Sequence, residues 1–342
     1  MAELLADHTT LRLGGPAARW VRATTEQELV EAVAAADDAG QPLLVLGGGS
    51  NLVVADEGFP GTVVEVATYG VVSDVDEAAG ACGGVLVTVA AGESWDDLVE
   101  LAVQREWAGI EALSGIPGSV GATPIQNVGA YGQDVAQTIA SVRVWDRTLR
   151  GVRTFANADC GFGYRTSRFK ADPGRHVVLS VTFQLLPGSL GGPVAYAELA
   201  QALGVETGTR PPLAEVRRAV LGLRAGKGMV LDAADHDTWS AGSFFTNPVV
   251  ARSAVPEGAP AWPQPDGTVK TSAAWLIEHA GFAKGHGNDR VALSGKHTLA
   301  LTNRGGATAD DLLALAREVR DVVETRFGIR LVNEPVLVGC EL

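Results

Sequence analysis

The sequence has few cysteines, no basic run and no long apolar run, and each absence excludes a class of protein. Cys82, Cys160 and Cys340 lie far apart, so we expect neither a disulfide framework nor a C-x-x-C metal motif. Lys and Arg number 27 against 40 Asp and Glu, and the net charge of −13 argues against nucleic-acid binding. The strongly apolar stretches, such as 177–186, reach about half of the ~20 residues that a membrane-spanning helix needs.

The composition favours a folded protein of more than one domain. With 342 residues, of which 46% are hydrophobic, the chain is long enough for two or three domains. Residues 1–7 lack the basic region and apolar core of a signal peptide, so we expect a cytoplasmic protein.

Hydrophobic periodicity predicts alternating strands and helices. Thr25 and Glu28 form a potential capping box for a helix over 26–38, and the apolar run 42–46 predicts a buried strand that follows it. Further apolar runs predict strands at 52–54, 62–66, 85–89, 139–145, 176–185, 298–301, 330–332 and 335–339. Helices are predicted from Ser94, at 211–224, at 275–279 and at 308–327.

The common ligand-binding motifs are absent. No strand leads into G-x-G-x-x-G, so a Rossmann dinucleotide site is not indicated. Gly226-Lys227 is followed by Gly228, which excludes a P-loop, and no nucleophile elbow G-x-S-x-G occurs. The six histidines lack metal-binding spacing, so no metal site is expected.

Two glycine-rich loops are the main candidates for ligand binding. The first, 47–51, follows a predicted strand, and the second, 114–132, has little helix character. Without Cβ atoms, such loops let the backbone approach a ligand, and successive N–H groups can bind an anion such as a pyrophosphate. The alternative is that both loops are only tight connections in a glycine-rich fold.

Three polar residues outside these loops stand in distinctive surroundings. Ser243 lies between a glycine and two aromatics, Arg165 lies in a polar aromatic stretch, and Glu334 precedes a proline in an apolar tail. Taken singly, each has a simple interpretation, as a turn residue, a surface cation and a solvated carboxylate.

Taken together, these segments resemble the UDP-N-acetylenolpyruvoylglucosamine reductases, flavoproteins that make UDP-N-acetylmuramate for the bacterial cell wall. The resemblance spans nearly the whole chain, and its most specific motifs are P-G-S-V-G…P-I-Q-N-V-G-A-Y-G and G-S-F-F-x-N-P. The matching segments are 8–16, 47–52, 116–132, 164–170, 243–248 and 334–335.

The resemblance implies an α+β fold. It predicts an FAD-binding domain of the vanillyl-alcohol oxidase and p-cresol methylhydroxylase type, with two α+β subdomains at 1–70 and 71–205. A smaller α/β substrate-binding domain would follow at 206–342, with the tail 328–342 returning to the active site.

The resemblance also implies an activity and its cofactors. FAD would be the bound cofactor and NADPH a diffusing reductant, and no metal is implied. A hydride from flavin N5 would reach the vinyl carbon of UDP-N-acetylglucosamine enolpyruvate. The implied FAD-binding residues are Gly47, Gly48, Gly49, Ser50, Asn51, Leu52, Ser114, Ile116, Pro117, Gly118, Ser119, Gly121, Ala122, Gln126, Asn127, Gly129, Ala130 and Tyr131.

Three catalytic positions follow from the same resemblance. Ser243 would donate the proton, and Arg165 with Glu334 would polarise the substrate carboxylate. A fixed cation favours the transition state, because negative charge grows at that carboxylate during hydride addition. The implied substrate-binding residues are Tyr164, Tyr196 on a closing loop, Lys227 and Asn247.

Further expectations concern charge, partners and physiology. We expect five cations to line the substrate mouth: Arg165, Arg168, Lys170, Arg224 and Lys227. Only small-molecule partners are expected, with a monomer and roles in cell shape, cell division and the cell cycle. The alternatives are another FAD-dependent oxidase of the same fold, a non-catalytic flavin or nucleotide-sugar binder, and a purely structural α/β protein.

Overall fold

The computed structural model describes residues 3–75 and 84–342, so Cys82 lies outside the described residues. Strands and helices alternate along the chain, as predicted. The strands are β1 (Ala17–Ala23), β2 (Leu43–Leu46), β3 (Leu52–Val54), β4 (Phe59–Val66), β5 (Val71–Val75), β6 (Val85–Ala90), β7 (Trp107–Ala108), β8 (Gly129–Ala130), β9 (Gln133–Asp134), β10 (Ile139–Asp146), β11 (Gly151–Ala156), β12 (His176–Pro187), β13 (Val249–Val250), β14 (Ala261–Pro263), β15 (Val269–Thr271), β16 (Val291–Leu293), β17 (Leu301–Asn303) and β18 (Val336–Val338). The α-helices are α1 (Glu26–Asp38), α2 (Trp95–Gln104), α3 (Thr123–Gln126), α4 (Arg168–Ala171), α5 (Ala197–Leu203), α6 (Leu213–Gly226), α7 (Ala273–Ala280) and α8 (Ala309–Phe327).

The helix starts are set by side-chain caps. Thr25 and Glu28 form the predicted capping box at the start of α1, and Thr308 forms a second box with Asp311 at α8. The Ser94 side chain accepts from the backbone N–H of Asp97 and caps α2. Each cap satisfies backbone N–H groups that have no partner inside the helix, so these boundaries could be predicted locally.

The larger of two compact units comprises Ala18–Gly48 and Pro60–Gly226. Its six-stranded sheet has the order β11-β10-β12-β6-β5, and β7 pairs with the end of β12. Alternation along β6 buries Val85, Val87 and Val89, while Leu86 and Thr88 point away from the core. The buried face packs around Trp95 and therefore fixes α2 against this sheet.

Two smaller layers complete the larger unit. A three-stranded sheet of order β1-β4-β2, with β2 parallel to β4, packs with Leu29 and Val33 of α1 against Val177 and Leu179 of β12. Helices α5 and α6 share an apolar cluster that includes Val220. Tyr196 is the N-cap residue of α5.

The smaller unit combines the N-terminal segment up to Ala17 with Gly49–Phe59 and Lys227–Leu342. Strand β18 pairs in parallel with β3, which joins the C-terminal tail to a segment near the start of the chain. Helices α7 and α8 pack on the β16-β17 hairpin around Leu276, Leu293 and Leu312. The sheet β13-β15-β14 completes the unit.

Some sequence expectations differ from the structure. The strand predicted at 298–301 is wrong, because residues 297–300 form a turn closed by a hydrogen bond from Ala300 N–H to the His297 carbonyl, and β17 begins at Leu301. Residues 330–332 are not a regular strand, and β11 was not predicted. The division into 1–70, 71–205 and 206–342 stays a prediction. Within the described residues, every helix is too short or too polar to span a membrane.

Candidate active site

The two glycine-rich loops meet inside the larger unit. A Cβ added at Gly47 would lie 2.5 Å from Ser119 Oγ, and one at Gly48 would lie 2.6 Å from Gly118 Cα. Such distances are shorter than van der Waals contact between carbon atoms, which is about 3.5–4.0 Å. Glycine is therefore required at Gly48, which faces backbone atoms, whereas rotation of the Ser119 hydroxyl would relieve the overlap at Gly47. Gly49, Ser50, Asn51 and Leu52 continue the first loop in the smaller unit.

The second loop is held by its own polar side chains. Ser114 Oγ donates to the Glu111 carbonyl, and the side chain of Asn127 donates to the Gly163 carbonyl while accepting from Ala136 N–H. Asn127 adopts a left-handed backbone conformation with φ of 47°. These polar groups therefore stabilise the loop, a role that the sequence did not reveal.

The remaining positions of this loop that are predicted to bind FAD lie in short helical turns and a hairpin. Residues 120–122 form a 3-10 turn, and α3 ends at Gln126 before the β8-β9 hairpin. Gly121 packs against Ala91, where an added Cβ would come within 2.5 Å of the Ala91 Cβ. Ile116, Pro117, Ala122, Gly129 and Ala130 complete the predicted set, and no contact with FAD is tested by the structure.

Arg165 is fixed by the carbonyls of the same loop. Its guanidinium donates to the Asn127 carbonyl at 3.2 Å and to the Gly129 carbonyl at 2.6 Å. The residue has a positive φ of 52°, and Lys170 Nζ donates to its carbonyl at 3.0 Å. Because two nitrogens of the guanidinium donate to backbone carbonyls, the positive charge has a defined position beside the glycine-rich loop.

Tyr196 lies at the start of α5 in the same unit. Its side chain is 50% exposed, and its ring meets the ring of Tyr131 edge to face at 5.8 Å between centroids. Burial raises the pKa of Tyr131, with Arg224 opposing the shift. The glycine-rich loop and the segment that carries Tyr196 therefore contact each other through two aromatic rings.

Glu111 is a buried residue that the sequence reasoning missed. One carboxylate oxygen accepts from Gly192 N–H at 2.8 Å and from Gln133 Nε2 at 2.9 Å, and the other accepts from Gly109 N–H at 2.7 Å. The residue is 1% exposed. It therefore ties the segment leading to Tyr196 to the core, and no local sequence signal distinguishes it from a surface carboxylate.

The five predicted cations differ in environment. Arg224 is 6% exposed, and burial lowers its pKa to about 10, with Tyr131 and Asp96 opposing the shift. Arg168 stacks over Phe155 at 4.7 Å. That these five cations line the substrate mouth stays a prediction, and Arg224 is buried inside the larger unit.

Ser243 and Glu334 lie on adjacent segments of the smaller unit. Glu334 N–H donates to the Phe244 carbonyl at 2.8 Å, and Thr246 N–H donates to the Val332 carbonyl at 3.0 Å. The Asn51 side chain reaches the Glu334 carbonyl at 3.4 Å. The C-terminal tail therefore lies beside the segment that contains Ser243. The order of these segments along the chain does not by itself show this contact.

Ser243 also contacts a histidine that was not among the predicted site residues. Ser243 Oγ lies 3.2 Å from Nε2 of His297, and both side chains are partly buried. The two residues lie 54 positions apart in the chain, and no sequence motif contains both. In the sequence, His297 is one of six histidines without metal-binding spacing, and nothing else distinguishes it as a partner of Ser243.

The predicted substrate contacts are divided between the units. Tyr164 is 41% exposed in the larger unit, beside Arg165. Lys227 and Asn247 belong to the smaller unit. Asn247 Oδ1 accepts from Ala273 N–H at 2.9 Å at the start of α7, so its side chain also has a structural function.

A polar cavity of the smaller unit lies outside the predicted site. His236, Asp237 and Arg304 line it. Asp237 accepts from Arg304 at 2.7 Å, so the two opposite charges pair with each other. Within the described residues, no cluster of three or more His, Cys, Asp or Glu side chains is arranged to bind a metal.

The chain is similar to two family models, to several named proteins and to a solved structure. Residues 17–151 match the FAD binding domain, and residues 234–338 match the C-terminal domain of UDP-N-acetylenolpyruvoylglucosamine reductase. The chain is 59% identical over 341 residues to the UDP-N-acetylenolpyruvoylglucosamine reductase of Cutibacterium acnes, covering 99% of this chain and 90% of that protein. The corresponding enzyme of Thermobifida fusca is 57% identical, with 99% and 97% covered. The crystal structure of the Thermus caldophilus enzyme matches with a TM-score of 0.66 at 27% identity, over 99% of this chain and 98% of that one.

The two family models and the named relatives identify the chain as an FAD-binding oxidoreductase with an additional C-terminal domain. At these identities and coverages, the chain belongs to the UDP-N-acetylenolpyruvoylglucosamine reductase family. The predicted family, the α+β fold class and the FAD cofactor are confirmed.

Proposed function

We propose that this chain reduces UDP-N-acetylglucosamine enolpyruvate to UDP-N-acetylmuramate with NADPH, a step of peptidoglycan precursor synthesis. The observation that carries the proposal is 59% identity to a named reductase over 99% of the chain. We expect a monomer to catalyse this reaction in the cytoplasm. The product would serve cell shape, cell division and the cell cycle. No nucleic acid takes part.

The residues of the larger unit fit FAD. The close approach of Gly47 and Gly48 to Gly118 and Ser119 brings two stretches of backbone together without intervening Cβ atoms. Backbone of this kind suits a pyrophosphate, because successive N–H groups can point at its oxygens. When bound, FAD supplies hydride transfer between NADPH and the substrate. The FAD contacts predicted at 47–52 and 114–131 include these positions.

Arg165 would hold the substrate carboxylate. Addition of hydride to the vinyl carbon leaves negative charge at the neighbouring carbon, and that charge spreads into the carboxylate. A guanidinium fixed by the carbonyls of Asn127 and Gly129 loses little freedom on binding and stabilises the growing charge. Arginine also keeps its proton throughout.

Ser243 would donate the proton that completes the reduction. The O–H bond of the serine breaks, a C–H bond forms at the enolate carbon, and the serine oxygen takes a proton back from water. A serine hydroxyl is a weak acid, but an enolate is strongly basic, so that placement matters more than acidity.

Glu334 would act together with Arg165 in polarising the carboxylate. Its backbone is held beside Phe244, next to Ser243. Either a protonated carboxyl or a carboxylate that orients a cation or a water fits this function. A Glu334→Gln variant with nearly full rate and an unchanged pH–rate profile would count against the assignment.

Tyr164, Tyr196, Lys227 and Asn247 would bind the substrate. The exposed ring of Tyr196 would close over it, and Lys227 with Asn247 would contact the UDP diphosphate. A local cation attracts a diphosphate despite the acidic net charge, so added salt should weaken substrate binding more than FAD binding.

The test is the visible absorbance of the purified protein without oxygen. The flavin band should bleach on adding NADPH and return on adding the enolpyruvyl UDP-sugar. A band that bleaches and does not return would exclude this substrate, and rapid reoxidation by oxygen with an alcohol would favour an oxidase of the same fold. In Ser243→Ala, the bleaching should persist and the return should be lost.

A further inference from the structure

The side chain of Ser243 contacts His297, a residue to which the proposed function assigns no role. The Oγ–Nε2 distance of 3.2 Å is within hydrogen-bonding range, and both residues belong to the smaller unit. His297 is part of the 294–300 turn, which contains none of the predicted site residues.

The backbone fixes this pair in place. Phe244 N–H donates to the Leu299 carbonyl at 2.7 Å, so the residue after Ser243 is bound to the turn that carries His297. The turn is itself closed, because Ser294 Oγ accepts from His297 N–H at 3.1 Å and Ala300 N–H donates to the His297 carbonyl at 3.0 Å. Ser294 is fully buried. The side-chain contact therefore follows from two segments that are held side by side.

The direction of this hydrogen bond decides what Ser243 can do. A serine hydroxyl carries one proton, so a hydroxyl that donates to the imidazole has none directed at a substrate. If the imidazole instead carries a proton on Nε2, it donates to Oγ, and the hydroxyl proton is left to point elsewhere.

We propose that His297 is the positioning residue of Ser243: its Nε2–H donates to Oγ and leaves the serine proton directed at the substrate carbon. This inference rests on the proposed proton-donor function of Ser243. His297 acts through the serine and forms no bond to the substrate.

The first test separates the two half-reactions in the FAD-loaded protein. His297→Ala should slow the return of the flavin band with the enolpyruvyl UDP-sugar by about 10- to 100-fold, within the range by which a positioned acid accelerates proton transfer. Bleaching by NADPH should stay within about twofold of wild type, since that step needs no proton from Ser243. His279→Ala is the matched control, because His279 is an exposed histidine of the same unit and stacks on Trp275. Equal slowing of both half-reactions, or no slowing of the return, would overturn the inference.

A conservative variant tests the hydrogen bond itself. The amide Nε2 of glutamine reaches about as far as imidazole Nε2 and donates a hydrogen bond. His297→Gln should therefore recover the return of the flavin band to within about tenfold of wild type, because it restores the donor. If His297→Gln is as slow as His297→Ala, the donor role is wrong.

A double-mutant cycle distinguishes failure of this inference from failure of the proposed function. If His297 acts through Ser243, adding His297→Ala to Ser243→Ala should cause no further slowing. If Ser243→Ala itself leaves the return fast, the proton-donor function is wrong, and the inference falls with it. If Ser243→Ala is slow and the second substitution slows the return again, His297 acts independently of the serine and only the inference is wrong.

The hydrogen bond also has a readout that needs no turnover. Nitrogen-15 NMR of the imidazole, recorded on the FAD-loaded protein without substrate, should show a proton on Nε2 of His297. Its resonance should shift in Ser243→Ala, while the resonances of His279 should stay unchanged. An Nε2 without a proton in the wild type would overturn the proposal.

Discussion

Gly48→Ala gives a direct test of the contact between the two glycine-rich loops. The added methyl group would lie 2.6 Å from Gly118 Cα and 3.0 Å from the Gly118 carbonyl carbon. Both are backbone atoms, so no side-chain rotation relieves the overlap. The loops must separate by about 1 Å to restore ordinary contact of 3.5–4.0 Å.

The size of the effect follows from this displacement. Inserting a methyl group into a well-packed region costs about 1–3 kcal/mol. If the free protein relieves the overlap by separating the loops and FAD requires their native spacing, the same energy weakens FAD binding. The dissociation constant for FAD should then rise about 5- to 150-fold.

The assay is titration of the flavin-free protein with FAD, followed by flavin fluorescence, alongside thermal unfolding. Gly222→Ala is the matched control, because Gly222 lies in α6 of the same unit and nothing lies within 4 Å of its added Cβ. That control should be stabilised by about 0.5–1 kcal/mol with unchanged FAD affinity. Wild-type affinity and unfolding temperature in Gly48→Ala would refute the loop contact.

Three further substitutions probe other contacts. Arg165→Lys should lower kcat/KM about tenfold or more, because an ammonium group lacks the planar set of N–H donors that can bind two carbonyls and a carboxylate together. Full activity in this variant would exclude binding of the substrate carboxylate by the guanidinium. Asp146→Asn should lower the free energy of unfolding in urea by about 1.5–3 kcal/mol at pH 7. Hydrogen bonds from Arg175 hold the pKa of Asp146 below its usual range, so its stabilisation is present above the unfolded pKa and is lost as pH falls through the folded pKa. The difference from wild type should therefore narrow at pH 3, and a constant difference would contradict this reasoning. Glu111→Gln should lower the free energy of unfolding by about 1–3 kcal/mol, because one of the three N–H donors then faces an amide NH2 group. Limited proteolysis should then cut the segment 189–213 faster than in the wild type. An unchanged cleavage rate would argue against the anchoring role of Glu111.

The elements that could be predicted from the sequence are those that neighbouring residues determine. The capping box of Thr25 and Glu28 and the alternation of 85–89 act over a few residues, and both appear in the structure. The sequence predicts a strand at 298–301 because three of these four residues are apolar, whereas residues 297–300 form a turn. A backbone hydrogen bond from Phe244, which is distant in the chain, also holds this turn at Leu299, and periodicity carries no information about such a partner.

Pairing between strands that are distant in the chain could not be predicted either, because periodicity does not identify the partner strand. Strand β18 pairs with β3 across more than 280 residues, and the smaller unit takes in both 49–59 and the N-terminal segment. Strand character could be read from 52–54, but the identity of the partner could not. The resemblance supplied the candidate residues, and it implied nothing about the contacts of Glu111 or His297.

The second glycine-rich loop shows why motif residues cannot be equated with ligand contacts. Ser114 begins the loop and Asn127 belongs to its most specific motif, yet the side chains of both bind the backbone of the same unit. Replacing either would displace the loop and weaken FAD binding even if neither touches FAD. Loss of FAD in such variants therefore does not identify a contact. Glycine positions are more informative, because Gly48→Ala removes no hydrogen-bonding side chain and changes only the approach of two backbones.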